Sequence, residues 1–512
     1  MSESSLDGSR RGFLRAMTAA AGALLAPSAS VALTPPSTPK LPSGVNPKNF
    51  IIHGVNPLTI ETRRSLMGMS AITPEARFFV RNNLPLPSPQ IVERPDTWVL
   101  EVKGVKQPTA ISVAELKGLG LDAVGAVIQC TGNGRAFFEH EPAGSKWGVG
   151  AAGCAIWTGV RLKTLFDHFG GVDAGMNFLT ATGGEIIPEG MEHNDLVVER
   201  SIPIKKALDD TILAWEMNGA PIPLLHGGPL RLIVPGYFGC NNIKYVKTLT
   251  CAPQESEAKI QKTGYRLRPI GAPPGPDYPS MWRMPVKSWV NGPGADNTPA
   301  LAGEVTFYGV ALSGERGVKK VEVSLDMGKT WQDATLEDLD LGPNAWRVFS
   351  YTVNLPKGPH TIVSRATDTQ GDIQPKERVE NERGYAHNGW LDAALTVNLL
   401  GEPPEEKVAA TDQHMVKEES TPPERESVSL SAEGQAGKQV YLESQPSCGA
   451  CHTLKDAGSE GLIGPNLNEL KPNAESVKNA VTNGVGAMPA YNDLMTKEQI
   501  NSLATYIEEA TK

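Results

Sequence analysis

Apolar and polar positions change period several times along the chain, and each change marks a predicted unit. Between about residues 49 and 282, short apolar runs such as Trp98-Val99-Leu100-Glu101-Val102 alternate with brief helical stretches over 113–117 and 162–168. Glycines break these elements often, and the mixture predicts an α+β unit over 45–282. From about 283 to 400 the period becomes two. Lys320-Val321-Glu322-Val323-Ser324-Leu325 alternates faces and Asp326-Met327-Gly328-Lys329 supplies a turn. Trp346-Arg347-Val348-Phe349-Ser350-Tyr351 and Thr361-Ile362-Val363-Ser364 are further strands. Short strands with regular turns predict an immunoglobulin-like β-sandwich. Residues 401–432 carry Glu, Pro, Ser and Lys with almost no bulky apolar groups. Such a segment cannot bury enough surface to offset the entropy of ordering, so it reads as a flexible linker. A helical period returns over 433–512. Thr496-Lys497-Glu498-Gln499 forms a capping box, after which Ile500, Leu503, Ala504 and Ile507 share one face of a terminal helix.

The length of 512 residues suits about three domains. The 52 glycines and 41 prolines agree with a loop-rich, strand-rich protein. A net charge of -9 leaves no basic footprint for nucleic acid. Ser9-Arg10-Arg11-Gly12-Phe13-Leu14-Arg15 precedes a small apolar run over 16–26. This pattern predicts a twin-arginine export signal over residues 1–32, cleaved near 28–32. The run is too short to span a membrane, and no other stretch is long and apolar enough. Export of an already folded chain suits a cofactor inserted beforehand, and the expected destination is the periplasm. Residues 33–48 are Pro-rich and expected to be extended.

Six cysteines are present. Cys448-Gly449-Ala450-Cys451-His452 is a C-x-x-C-H run, the attachment pattern of haem c. Cys448 and Cys451 would carry the porphyrin, and His452 would bind the iron. A zinc half-site would need a second Cys/His pair, and a dithiol redox motif needs no trailing histidine. Met488, in Gly486-Ala487-Met488-Pro489-Ala490, is the expected sixth ligand, with Met495 as its competitor. The loop around Met488 and Gly464-Pro465-Asn466-Leu467 resemble class I cytochromes c, which implies that the proline carbonyl orients the histidine ring. Cys130, Cys154, Cys240 and Cys251 remain. An oxidising compartment permits a disulfide among them without assigning one.

A second constellation begins at Ile128-Gln129-Cys130-Thr131-Gly132-Asn133-Gly134-Arg135. Trp147 follows, then Trp157-Thr158-Gly159-Val160-Arg161-Leu162 and Glu216-Met217-Asn218-Gly219-Ala220-Pro221-Ile222-Pro223. His226-Gly227-Gly228-Pro229-Leu230-Arg231 and Lys244 come later. In this order and spacing the motifs resemble the sulfite oxidase family of molybdopterin enzymes over roughly residues 75–400. The resemblance implies that Cys130 is the thiolate on molybdenum, a soft ligand for a metal that also holds oxygen. It implies that Arg81 and Arg135 grip the substrate oxyanion, with Tyr265 and Trp147 in the same pocket. Arg383 matches an arginine reaching back from the sandwich. His226, Arg231 and Lys244 match residues that hold the pterin and its phosphate. The implied activity is oxidation of sulfite to sulfate, with electrons leaving through the fused haem to a soluble cytochrome c. Reduction of nitrate or a sulfoxide, and oxidation of sulfane sulfur, are the alternatives. A homodimer through the sandwich is also implied. The chain departs from the family pattern at Asn83, where the similar bacterial enzymes carry histidine, and at Trp390-Leu391, where a Trp-His pair is usual.

Overall fold

Three sheets arise from the strand-and-helix alternation of the first unit in the computed structural model, which describes residues 41–42, 44–401, 430–444, 448–460, 465–484, 490–492 and 494–512. The expected export signal, nearly all of the linker and Met488 lie outside the described residues. A small sheet joins Phe50–Val55, Leu58–Thr62 and Val80–Arg81. A second sheet runs Ala220–Pro221, Ile212–Met217, Ala152–Arg161, Asp122–Gln129, with Arg231–Ile233 also paired to Ile212–Met217. The third runs Thr109–Ser112, Val99–Lys103, Val246–Ala252, Phe178–Gly183, Glu199–Pro203. Its Val99–Lys103 strand buries alternate residues, as the period of two demands.

The helices Val113–Lys117 and Leu162–His168 form where their pattern placed them. The first is started by a capping box: the Glu115 backbone N–H donates to Ser112 Oγ, and the Ser112 N–H donates to the Glu115 carboxylate at 2.8 Å. Leu116, Leu162, Leu165 and Phe166 bury one apolar face against Leu100, Val102 and Leu249 of the third sheet.

The period-two region is a two-sheet sandwich. One sheet runs Lys287–Gly292, Gly303–Leu312, Arg347–Leu355, Thr335–Leu336. The other runs Gln332–Asp333, Val318–Ser324, Gly358–Asp368, Leu395–Leu399. Phe307, Val321, Val323, Phe349, Ile362 and Val397 fill the space between them. The predicted turn closes on Asp326, whose Oδ1 accepts the Lys329 and Thr330 N–H groups at 3.0 and 2.9 Å.

The core does not stop where the period changes. Met67, Val127, Val149 and Phe238 of the first unit pack with Trp289, Val310, Trp346 and Tyr385 of the second. The Trp346 indole donates to the Ala71 carbonyl at 2.8 Å, and the Val127 N–H donates to the Asn344 carbonyl at 3.0 Å. The sandwich is therefore part of the wall of the first unit.

The C-terminal unit starts slightly before residue 433: Leu430 packs on its core, and Ser431 caps helix Ala432–Glu443 through the Gly434 N–H. Helices Ala474–Asn483 and Lys497–Ala510 follow. Thr496 and Gln499 form the expected capping box, and Ile500, Leu503, Ala504 and Ile507 are all buried. Gly437 lies where the first and last helices cross, and a side chain there would run into the Ser502 carbonyl. Tyr441 and Tyr506 meet edge to face at 5.8 Å beside this crossing. The unit also holds one short strand pair, Thr453–Leu454 with Ser459–Glu460. Among the described residues no helix is long and apolar enough to cross a membrane.

Candidate active site

Strand Asp122–Gln129 ends at Cys130, and the chain turns sharply there. The Cys130 N–H donates to the Ala151 carbonyl at 2.8 Å, and its carbonyl accepts the Asn133 N–H at 3.0 Å. Buried Asn133 fixes the turn from inside, donating to Gln129 Oε1 at 3.1 Å and accepting the Ala151 N–H at 3.1 Å. Gly134 has φ 101°, and a side chain on it would collide with the His387 ring. Glycine is required there on both counts. Arg135 then points back over Gly132. Its Nε donates to the Arg383 carbonyl at 2.9 Å and its Nη1 to the Ser145 carbonyl at 3.0 Å.

Two cavities meet at Cys130. The outer one is lined by Arg81, Asn83, Cys130, Arg135, Ser145, Trp147, Tyr265, Arg383 and Tyr385. Among the described residues no carboxylate lines it. Burial pushes the Tyr265 hydroxyl well above its ordinary pKa, so it is a neutral donor. Trp147 is fully buried with its indole N–H unpartnered. Its loop is held by Glu61, whose carboxylate accepts the Gly148 and Gly150 N–H groups at 3.1 and 2.8 Å and pairs with His53 at 2.8 Å.

The inner cavity lies on the other side of Cys130 from Arg135 and Arg383, which line only the outer one. Phe78, Asn82, Cys130, Glu185, His226, Arg231, Cys240, Asn242 and Lys244 line it, and it shares Arg81, Asn83 and Tyr265 with the outer one. Three bases crowd together here. Burial, then Lys244 and Arg231, hold the His226 pKa down at about 3. Burial lowers that of Arg231 to about 10, and burial with Arg231 places Lys244 well below its ordinary value. Arg231 donates to the His226 carbonyl at 2.6 Å, yet its Nε has no partner. Lys244 donates to Asn82 Oδ1 at 2.9 Å and to the Leu225 carbonyl at 2.6 Å. Half-buried Glu185 is raised to about 7 by desolvation, and its buried Oε2 is unpartnered. Buried donors without acceptors, crowded bases and one waiting acceptor describe a site for an anionic ligand that also offers N–H groups.

The structure thus gathers Arg81, Cys130, Arg135, Trp147, Tyr265 and Arg383 at one cavity and His226, Arg231 and Lys244 at its neighbour. Glu185 and Tyr385 are lining residues that sequence reasoning missed, because neither sits in one of the motifs. Cys240, which had no assigned place, lines the inner cavity and sends its thiol toward the Met281 carbonyl at 3.6 Å. Cys130, Cys154, Cys240 and Cys251 are all free thiols. Burial pushes those of Cys154 and Cys251 up to about 12.

In the C-terminal unit, Cys448–Cys451 is a single helical turn running into His452. The His452 Nδ1 lies 3.0 Å from the Pro465 carbonyl, the contact the loop resemblance implied. That bond fixes the proton on Nδ1 and leaves the Nε2 lone pair for a metal. Met495 packs against the core of this unit. The Cys451 side chain lies outside the described residues.

Residues 85–260 match the oxidoreductase molybdopterin binding domain, and residues 278–398 match the Mo-co oxidoreductase dimerisation domain. Residues 432–507 match the cytochrome C oxidase, cbb3-type, subunit III family. The sulfite oxidase of Gallus gallus is 31% identical over 388 residues, covering 70% of this chain and 82% of that protein. The chain belongs to the sulfite oxidase family. Human mitochondrial sulfite oxidase is 32% identical over 364 residues, 66% of this chain and 64% of the human protein. The chain thus spans a little under two thirds of that relative's length. Among solved structures, the sulfane dehydrogenase SoxCD from Paracoccus pantotrophus superposes with a TM-score of 0.57 at 24% identity, over 68% of this chain and 88% of that one. This places the two in one fold. The family's molybdopterin and a haem c are the cofactors, and both sites described above suit them.

Lys287 and His387 lie beneath the Cys130 turn. Lys287 is fully buried and donates to the Asn133 carbonyl at 3.2 Å. Burial pulls its pKa from 10.5 down to about 7, although Asp392 opposes this. Burial, then Lys287, lowers His387 from 6.5 to about 4, while its Nε2 holds Asp392 Oδ2 at 2.9 Å. Both bases are depressed on folding, so the unfolded chain binds more protons wherever a folded pKa has been passed and the unfolded one has not. Stability should therefore rise with pH from about 4 to 6.5 through His387 and from about 7 to 10.5 through Lys287. In urea unfolding at pH 7 and pH 9, Lys287→Met should remove a rise on the order of a few kcal/mol that wild type shows. Equal slopes in the two proteins would refute the assignment.

Proposed function

We propose that the protein is a periplasmic sulfite dehydrogenase that oxidises sulfite to sulfate and passes electrons through its own haem to an external acceptor such as cytochrome c. The observation that carries this reading is the outer cavity, where, among the described residues, three guanidiniums and no carboxylate surround Cys130. Such a cavity attracts a small dianion and rejects cations and neutral molecules.

Cys130 would hold the molybdenum, while Arg231 and Lys244 would face the anionic tail of the pterin with cationic donors and His226, uncharged, would offer it a hydrogen bond. Glu185 would accept N–H groups from the pterin ring. The bound centre supplies a two-electron oxygen-transfer couple. The net change is sulfite plus water to sulfate, two protons and two electrons. Arg81, Arg135 and Arg383 would grip the sulfite oxygens and turn the sulfur lone pair toward the Cys130 end, which is orientation and charge stabilisation supplied in advance. Tyr265, held neutral, would donate a hydrogen bond to substrate oxygen. Trp147 would close the cavity against bulk water.

His452, with Met488 as the second axial ligand, would hold the haem iron, and Cys448 and Cys451 its porphyrin. The polar segment 401–432 would act as a tether, keeping the haem at high effective concentration near the cavity while letting it turn to a partner. The match to a dimerisation domain supports a homodimer through the sandwich. The Arg10-Arg11 leader supports export in the folded state.

Mixing sulfite with the oxidised, cofactor-loaded full-length chain in a stopped-flow spectrometer should reduce the haem within the time of one turnover. Metal analysis should find molybdenum and iron in equal amounts. An oxidised haem after sulfite addition, in protein that contains both metals, would exclude the reading. Nitrate-dependent oxidation of a reduced dye would favour the reductase instead.

A further inference from the structure

We propose that Tyr385 is a positioning residue of the substrate cavity: its ring sets the spacing of Arg135 and Arg383 and so selects a small oxyanion over a larger one. The proposal rests on the reading of the outer cavity as the substrate site.

Tyr385 is held with unusual care for a residue outside any strand or helix. The Asn381 side chain brackets its backbone, donating to the Tyr385 carbonyl at 2.9 Å and accepting the Tyr385 N–H at 2.9 Å. The next residue, Ala386, is in the left-handed region at φ 56° and donates its N–H to the Thr131 carbonyl at 3.0 Å. A non-glycine residue adopts that conformation at a cost, so its surroundings must enforce it. The backbone of Tyr385 is thereby tied to the Cys130 turn.

The ring is 3% exposed and lines the cavity. It stacks on Tyr265 with centroids 5.6 Å apart and planes at 24°. The Arg135 and Arg383 guanidinium carbons lie 5.4 and 5.8 Å from its centroid. The one aromatic ring attracts both cations and gives each a fixed surface to rest against. The Arg135 Nε bond to the Arg383 carbonyl ties the same two residues together directly. The Tyr385 hydroxyl, by contrast, makes a long bond of 3.5 Å to the Gly264 carbonyl. The ring, more than the hydroxyl, is the element that builds the cavity. An anion bridging the two guanidiniums must match a gap that the ring fixes.

The test uses the full-length chain loaded with its cofactors and three variants. Isothermal titration with inorganic sulfate and with benzenesulfonate measures binding without turnover, and sulfite kinetics separate KM from kcat. Tyr385→Leu should raise the sulfate Kd and the sulfite KM together by about tenfold, the scale of two lost cation–π contacts, with a smaller fall in kcat. It should also shift the preference toward benzenesulfonate, because the ring no longer fills the space. Tyr385→Phe should recover most of the loss seen with leucine. If Tyr385→Leu does not fold, Tyr385→Trp still decides: the larger ring should weaken benzenesulfonate more than sulfate. Equal losses in the phenylalanine and leucine variants, or sulfate binding unmoved by every folded variant, would overturn the proposal. A wild type that binds sulfate but does not oxidise sulfite would sink the functional reading and leave Tyr385 to be judged by sulfate binding alone.

Discussion

Cys130→Ser should abolish sulfite-dependent haem reduction, lowering turnover by at least about 10³-fold, the scale of losing one member of an interdependent catalytic set. Cys130 stands where the two cavities meet, so it is the group through which a metal can touch both the pterin side and the oxyanion side. A serine hydroxyl is hard and stays protonated at neutral pH, so it replaces neither the charge nor the softness of a thiolate. Its smaller bulk leaves the turn intact, because the bonds to Ala151 and Asn133 use only the Cys130 backbone. Molybdenum content and the haem absorbance should be measured together. The expected result is loss of turnover with an unaltered haem spectrum. Retention of metal with normal turnover would refute the role of Cys130. It would also direct attention to Cys240, which lines the inner cavity, and Cys240→Ser in the same background would settle its part.

Arg135→Lys should lower kcat/KM for sulfite by about 10²–10³-fold, the scale of removing one preorganised charge donor. The substitution keeps the charge and still fails, for a geometric reason. Arg135 spends its Nε and Nη1 on two backbone carbonyls, those of Arg383 and Ser145, and its remaining nitrogen approaches the space above Gly132. A lysine ammonium is a single point and cannot hold both carbonyls while facing the cavity. The residue is also buried, so a slack ammonium there would be a poorly solvated charge with an incomplete set of acceptors. Steady-state kinetics with sulfite are the check. A lysine variant within tenfold of wild type would mean that charge alone matters at this position.

Much of the fold was written in local pattern. The strand over 318–324 and the capping boxes at Ser112 and Thr496 depend on neighbours a few residues away, and the structure forms them, although Glu322 and Ser324, the positions the alternation would expose, are buried as well. Cys130, Arg135, His226 and Arg231 were legible because each sits in a motif whose glycines and prolines shape the backbone beside it. Glu185 and Tyr385 were not. The Tyr385 ring meets Arg135, 250 positions earlier in the chain, and only the packing of the sandwich against the first unit creates that meeting. Lys287 was hidden for a related reason: in a strand that otherwise reads as half-exposed, every residue of Lys287–Gly292 is buried. No local period announces a strand covered on both faces by distant segments.

The last turn of chain before residue 388 supplies Arg383, Tyr385 and the Ala386 tie to Thr131. Translation must therefore run through about three quarters of the polypeptide before the reaction chamber has its final wall. A truncated product ending near residue 282 would present an open bowl with its cationic floor exposed to solvent. Early stop codons or proteolytic nicks in this stretch should be as damaging as lesions at the thiol itself, and engineered fragments meant to isolate the chemistry need to extend past residue 387.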